Sequence, residues 1–248
     1  LAMRAIRKVN PKAKLVHTED LGMIHSTEKL HYQARFENER RWLGIDMLCG
    51  RLIPGHHLYR YCLKHGLTED ELLFFAEHAL PPDILGFNYY ITSERYLDEH
   101  IAQYPAPQHG GNGIDVYADV EAVRADGVEI SGLEHLLSIA WNRFKLPLAI
   151  TECHLYCGRE DQLRWLQANW DAALNLEKKG VDIKGFAIWS AFGAYGWDKL
   201  LTAAGGSYES GLFDARSDQA RPTALVSMVK EMIAGKTFDH PLMQGRGW

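Results

Sequence analysis

The sequence predicts an α/β fold in which helices cover a parallel sheet. The hydrophobic period alternates between helix-like and strand-like along the chain, and each of the four predicted strands is apolar along its whole length. Strands of parallel sheets have this composition because helices bury both of their faces. The order of elements fits a doubly wound sheet as well as half of a barrel. However, no strand is followed by a phosphate-binding loop or a Gly-x-Gly-x-x-Gly turn, which disfavours a doubly wound nucleotide-binding fold.

Composition narrows the class of protein. The 248 residues are 46% hydrophobic and 24% charged, as in ordinary globular proteins, and no linker divides them, so residues 1–248 are expected to form one domain. The net charge of -5 disfavours a nucleic-acid partner. No apolar run approaches the roughly 18 residues of a membrane span, and residues 1–7 do not resemble a signal peptide. We therefore expect a cytoplasmic protein without a membrane or nucleic-acid partner.

Four cysteines do not form a dense disulfide pattern, so reduced thiols are expected. Cys153, His154 and Cys157 could be read as metal ligands. They offer only three candidate ligands at an unusual spacing, with no second cluster elsewhere in the sequence. We expect neither a metal nor a cofactor.

The predicted elements follow one another at short intervals. Thr68 with Glu71 forms a capping box that begins a helix, and Ser131 with Glu134 is a second candidate cap. Pro, Gly and His residues concentrate between 104 and 119, which predicts a long loop. The predicted helices cover 1–9, 26–48, a stretch from 68, 131–143, 160–179 and 222–233; the predicted strands cover 14–18, 83–90, 146–151 and 185–189.

Polar and aromatic residues follow the predicted strands, where parallel α/β folds place their chemistry. Each alone has an ordinary structural explanation: Thr-Glu can cap a helix, Asn-Tyr-Tyr can end a strand, and a lone Trp usually lies in the core. Together they favour a sugar site, since Trp offers a flat face to a pyranose and paired carboxylates perform glycosyl chemistry. The residues concerned are Glu19 and Asp20 in a turn after the first strand, Asn88, Tyr89 and Tyr90 after the second, Thr151 and Glu152 after the third, and Trp189 after the fourth.

Three motifs resemble the family 1 glycoside hydrolases, the β-glucosidase-like enzymes. Pro147-Leu148-Ala149-Ile150-Thr151-Glu152 is similar to the family's nucleophile motif. Asp83 to Tyr90 resembles its sixth barrel strand, and Gly185 to Ser190, with Trp197 beyond, resembles the eighth. Residues 208–214 and 221–224 are similar to the stretch that leads into the family's last helix. The resemblance implies a (β/α)8 TIM barrel, of which this chain would be the carboxyl-terminal half, strands five to eight.

The resemblance also implies roles for individual residues. Glu152 would be the catalytic nucleophile, with Tyr90 (or Tyr89) donating a hydrogen bond that keeps it ionised and oriented. The Asn-Glu-Pro that carries the family's general acid on strand four is absent from this sequence, so the acid would come from a missing half, and Glu19 is the nearest possible substitute. The substrate would be a β-linked sugar, bound by Asn88, Tyr89, Trp189, Trp197, Asp198 and Glu19.

Two departures leave a second function open. Cys153-His154 stands where the family has Asn-Gly, and Gly196 stands where an eighth-strand loop glutamate binds sugar, with Asp198 as a possible stand-in. The pattern, including Thr18 to Gly22 and Phe36 to Leu43, also resembles bacterial glycosidase-like domains fused to a dTDP-4-dehydrorhamnose reductase-like domain, with a linker starting within 237–248. The alternative is therefore a non-catalytic carbohydrate or nucleotide-sugar binding module that partners a reductase.

A half-barrel also needs a partner. Its inner face, in part Ile84, Leu85, Phe87, Ile150 and Ile188, is expected to meet water, and its two edge strands would be unprotected. We expect either a missing amino-terminal half or a second copy of the chain to complete it.

Overall fold

A computed structural model describes residues 1–200, 202–203 and 205–245. The helices are α1 (Ala2–Val9), α2 (His31–Arg40), α3 (Leu43–Leu48), α4 (Tyr59–Lys64), α5 (Glu69–Glu77), α6 (Gly132–Phe144), α7 (Arg159–Lys178) and α8 (Ala224–Ile233). The strands are β1 (Val16–Asp20), β2 (Ile24–Ser26), β3 (Ile84–Tyr89), β4 (Arg95–Asp98), β5 (His109–Gly111), β6 (Val116–Glu121), β7 (Leu148–Cys153), β8 (Ile183–Phe186), β9 (Ala194–Tyr195), β10 (Tyr208–Glu209), β11 (Phe213–Asp214) and β12 (Arg221–Pro222).

A parallel sheet of four strands forms the centre of the fold. Its order is β1-β3-β7-β8, so successive strands of the sheet are neighbours, as in a barrel wall. All three pairings are parallel, and β1 and β8 form the two edges. The predicted succession of strand and helix along a parallel sheet is confirmed.

The two faces of this sheet differ in chemistry. Leu85, Phe87 and Ile150 lie at 0–1% exposure in the main core, packed with apolar residues of α6, α7 and α8. The prediction that they line the inner face was therefore wrong. The inner face instead carries small and polar residues, such as Gly86, Thr18 and Thr151. A Cβ at Gly86 would lie 2.6 Å from Thr151 Cγ2 and 2.9 Å from Thr18 Cγ2. Glycine at position 86 lets these threonines approach across the strand.

A second sheet was missed by the sequence analysis. Its order is β2-β4-β6-β5, with β2 and β4 parallel and the other pairs antiparallel. Strand β5 and the first part of β6 lie within the residues predicted to be a loop, 104–119. It escaped prediction because β5 is three residues long and contains Gly110 and Gly111, which are unfavourable in strands.

Several predicted boundaries also moved. The helix predicted over 26–48 is interrupted at Arg41 and Trp42 between α2 and α3, and its first residue belongs to β2. Strand β1 ends at Asp20, so Glu19 and Asp20 are strand residues rather than a turn. Helix α4 was not predicted. These changes leave the order of the main strands intact.

One predicted helix cap is confirmed and the other is wrong. Thr68 Oγ1 accepts from the Glu71 N–H at 3.2 Å, and Glu71 accepts from the Thr68 N–H at 2.8 Å. At α6, by contrast, the Ser131 side chain makes no capping bond. A distant carboxylate, Glu94, accepts from the N–H groups of Ser131 and Gly132 at 2.7 and 2.8 Å.

The carboxyl-terminal segment packs against the domain. Phe238, Leu242 and Met243 contact the main core, and Arg164 Nε on α7 donates to the Leu242 carbonyl at 2.9 Å. This part of the predicted linker is thus a packed segment, and residues 246–248 lie outside the described residues. Within the described residues, no helix has the length and apolar character that a membrane crossing requires.

Candidate functional site

A bulge in β7 brings Glu152 to the inner face of the sheet. Phe87 pairs with Ile150, but the next residue, Asn88, pairs with Glu152, so Thr151 is the extra residue. Strand residues alternate between faces, and a regular strand would turn Glu152 toward the helices. The extra residue lets both Thr151 and Glu152 face inward, as bulges beside functional sites commonly do.

Tyr90 and Glu152 form a hydrogen-bonded pair at the carboxyl ends of β3 and β7. Tyr90 Oη donates to Glu152 Oε2. Burial raises the pKa of Tyr90 well above its ordinary value, and the hydrogen bond and charge of Glu152 add to this, followed by the charges of Glu209 and Asp20. The phenol therefore keeps its proton at neutral pH and holds one oxygen of the Glu152 carboxylate in a fixed position.

Asn88 supports the same edge of the sheet. Thr151 Oγ1 donates to Asn88 Oδ1 at 2.8 Å, and the Asn88 carbonyl accepts from the Leu21 N–H at 2.9 Å. Both side chains are partly exposed on the inner face next to Glu152. Asn88 pairs in register with Glu152, and its side chain is held by Thr151.

Two tryptophans form an aromatic wall beside the pair. The rings of Trp189 and Trp197 are stacked, with centroids 5.7 Å apart and an interplanar angle of 29°. Two adjoining cavities of about 880 and 780 Å³ share Tyr90 and Trp197 in their linings. Cavities of this size accept sugar-sized ligands.

Three predicted site residues lie elsewhere or are otherwise engaged. Tyr89 is 1% exposed on the outer face, stacked on Trp165 and donating to Glu94 at 2.9 Å. Glu19 pairs in register with the outward-facing Phe87 and contacts His17 Nε2 at 2.8 Å, and it also lines the 880 Å³ cavity. Asp198 accepts from the Ser207 N–H at 3.0 Å, so this carboxylate holds its own loop. Strand alternation accounts for the first two positions, because consecutive residues of a strand face opposite sides.

Asp20, which the sequence analysis placed after the first strand, and two residues to which it gave no role in sugar binding, His154 and Glu209, lie close to Tyr90. Asp20 pairs in register with Asn88, and its charge acts on Tyr90. His154, which follows β7, contacts Glu209 of β10 through its Nε2. A buried His and Glu distant in sequence carry no local pattern, so only the fold could reveal them.

The cysteines near the site do not converge with His154. Burial raises the pKa of the Cys153 thiol, which lies against Trp165. Burial likewise raises the pKa of Cys157 to about 11, with the charges of Asp161 and Glu160 adding to it. Both sulfurs therefore remain protonated at neutral pH and are poor metal ligands in this state.

Comparison with known proteins finds sequence similarity to a lactase-like protein and to a β-glucosidase. No protein-family model matches the chain. It is 28% identical over 179 residues to a lactase-like protein of Mus musculus, covering 64% of this chain and 30% of that protein. It is 24% identical over 192 residues to beta-glucosidase 47 of Arabidopsis thaliana, covering 73% and 34%. The chain thus spans about a third of the length of these curated relatives.

Solved structures agree on the fold. A β-glucosidase from Thermotoga maritima in complex with deoxynojirimycin superposes with a TM-score of 0.69 at 15% identity, covering 96% of this chain and 54% of that one. The AHE enzyme from Alicyclobacillus herbarius gives 0.67 at 18%, covering 94% and 54%. The chain therefore resembles the β-glucosidase-like glycosidases, and the predicted fold, half of their TIM barrel, is confirmed.

Proposed function

We propose that this chain is the carboxyl-terminal half of a retaining β-glycosidase barrel, with Glu152 as nucleophile. The observation that carries the proposal is the hydrogen bond from Tyr90 to Glu152, on an inner face that also presents two stacked tryptophans. The similarity to a lactase-like protein and to β-glucosidases supports the same substrate class, a β-linked sugar.

In this proposal the free carboxylate oxygen of Glu152 attacks the anomeric carbon. The glycosidic bond breaks as the new bond forms, and water later releases the sugar from the enzyme. Such a reaction requires a general acid about 5–5.5 Å from the nucleophile. We assign that acid to the other half of the barrel. Asn88, Trp189 and Trp197 would hold the glycone, with the aromatic faces against its C–H groups.

Covalent labelling tests this assignment. A 2-deoxy-2-fluoro-β-glucoside with a dinitrophenyl leaving group reacts without help from an acid, because the leaving group departs unprotonated. We expect mass spectrometry to find one sugar on Glu152. Glu177→Gln, which changes an exposed carboxylate of α7, should be labelled like the unmodified protein. A label on another carboxylate would show that Glu152 is not the nucleophile.

The alternative is a sugar-binding module without catalysis, serving a fused reductase. Its supporting observation is that His154, the second residue after Glu152, where the family has Gly, contacts Glu209. Binding of the fluorinated glycoside without any covalent product would favour this alternative over the hydrolase.

We further propose that a second half-barrel completes the sheet. In the described residues β1 and β8 each pair with a neighbour on one side only, and the solved β-glucosidase is nearly twice as long as the matched region. Unpaired strand edges are templates for association, and Val16 on β1 is 47% exposed.

Light scattering on the isolated 248-residue chain tests this proposal. We expect a mass well above the 28.2 kDa monomer, because two copies can pair through the edges of β1 and β8. Adding a separately produced amino-terminal half should shift the population to a one-to-one complex. A monodisperse, cooperatively melting monomer at high concentration would contradict the need for a partner.

A further inference from the structure

A buried pair of a histidine and a glutamate lies close to Tyr90 and has no part in the chemistry proposed above. His154 is 6% exposed and Glu209 is 9% exposed, and His154 Nε2 contacts Glu209 Oε1. The two residues come from separate parts of the chain: His154 directly follows β7, and Glu209 pairs with Ala194 across the β9–β10 ribbon. Both line the 780 Å³ cavity together with Tyr90 and Trp197.

The contact with His154 fixes the position of Glu209. His154 Nε2 lies against Oε1 of Glu209, which places the carboxylate in the wall of the cavity. A carboxylate in this position can accept hydrogen bonds from a ligand. The pKa of Tyr90, raised first by burial and by the bond to Glu152, is raised further by the charge of Glu209. Glu209 therefore lies within electrostatic range of the Tyr90–Glu152 pair.

One oxygen of Glu209 remains available to a ligand. His154 occupies Oε1, and in the part of the chain that the structure describes no protein donor meets Oε2. This oxygen belongs to a residue that lines the cavity, so it can accept from a donor group on a ligand. Hydroxyl groups are such donors, and the Trp197 face in the same cavity suits the ring that carries them.

We propose that Glu209, held in place by His154, binds the sugar by accepting a hydrogen bond from one of its ring hydroxyls, and so determines which hydroxyl configuration the site accepts. This inference rests on the proposed function, since it assumes that a pyranose occupies the cavity. Glu209 is a specificity residue in this arrangement, and His154 is a positioning residue.

Calorimetric titration of the complete protein with glucose and its monodeoxy analogues tests the proposal. Glu209→Gln keeps the side-chain shape but removes the charged acceptor, and we expect it to weaken glucose binding about 10- to 100-fold. For the one deoxy analogue that lacks the recognised hydroxyl, the variant and the unmodified protein should bind equally. Glu160→Gln, at an exposed residue of α7, should bind every analogue as the unmodified protein does.

A purely structural role gives a different result. It would weaken binding of glucose and of every analogue by the same factor, and that outcome overturns the proposal, as does an unchanged affinity for glucose. Thermal melting checks the fold, and Glu209→Asp, which keeps the charge, should retain the same hydroxyl preference if Glu209→Gln does not fold. Covalent labelling of Glu152 with unchanged affinity in Glu209→Gln would overturn this inference alone. If the unmodified protein shows neither labelling of Glu152 nor binding of glucose, the proposed function is overturned as well.

Discussion

Glu152→Gln in the complete protein is expected to abolish turnover of an aryl β-glucoside while leaving glucose binding within about tenfold. Glutamine has the shape of glutamate and still accepts the hydrogen bond that Tyr90 donates. Its amide, however, is not a nucleophile for the anomeric carbon. The variant therefore loses the bond that forms in the transition state, while the contacts that bind glucose remain. Steady-state kinetics and calorimetry measure the two quantities separately. Glu177→Gln is the matched control, and turnover at the unmodified rate in Glu152→Gln would remove the nucleophile assignment.

A second variant separates a nucleophile from a residue that only binds. Glu152→Ala leaves space next to the anomeric carbon, where azide can act in place of the carboxylate. Azide then forms the new bond as the activated leaving group departs with the electron pair. We expect azide to restore consumption of a dinitrophenyl β-glucoside and to yield the α-glucosyl azide, because one displacement inverts the configuration. If azide has no effect, Glu152 serves binding alone.

The main sheet could be predicted because its strands are long apolar runs. β3 and β7 contain the buried residues Leu85, Phe87, Leu148 and Ile150, and no helix period fits them. The second sheet could not be predicted in this way. Its strands are short. Gly110 and Gly111 in β5 have low strand propensity and are held in the sheet by pairing with β6, which the local sequence does not reveal.

The candidate site was predictable in its residues and not in its geometry. The motif around Glu152 and the tyrosine after β3 pointed to the pair that the structure brings together. The bulge at Thr151 that turns Glu152 inward has no signature in the sequence. The choice between Tyr89 and Tyr90 likewise depends on strand register, which fixes the face of every side chain. His154 and Glu209 meet only through the tertiary fold.

Glu94 joins the two sheets to the start of α6. Its carboxylate is fully buried and accepts from His25 Nε2 at 2.8 Å and from Tyr89 Oη at 2.9 Å. It also caps α6 through the N–H groups of Ser131 and Gly132, where a negative charge is favoured by the helix dipole. Burial opposes ionisation, but the bonds from His25, from these N–H groups and from Tyr89 outweigh it and lower the pKa of Glu94 to about 2.

Replacement of Glu94 is expected to have the largest effect on stability. Glu94→Ala would leave one buried and three partly buried donors without their acceptor, and we expect the free energy of unfolding to fall by about 3–5 kcal/mol at pH 7. Glu94→Gln should lose less, since its carbonyl still accepts. Chemical denaturation measures both, with Glu77→Gln, an exposed residue of α5, as control. A loss below about 1 kcal/mol in Glu94→Ala would show that water replaces the carboxylate.

The lowered pKa of Glu94 is expected to make the protein less stable as the pH falls. The pKa of Glu94 is lower in the folded protein, about 2, than its ordinary 4.5. The unfolded chain therefore takes up its proton first as the pH falls. The stabilisation, about 3 kcal/mol from this difference, is complete above pH 4.5 and is lost between pH 4.5 and 2. Denaturation curves at pH 7 and pH 3 should show Glu94→Gln losing less stability on acidification than the unmodified protein, because the amide does not titrate. Equal losses in both proteins would assign the acid sensitivity to other carboxylates.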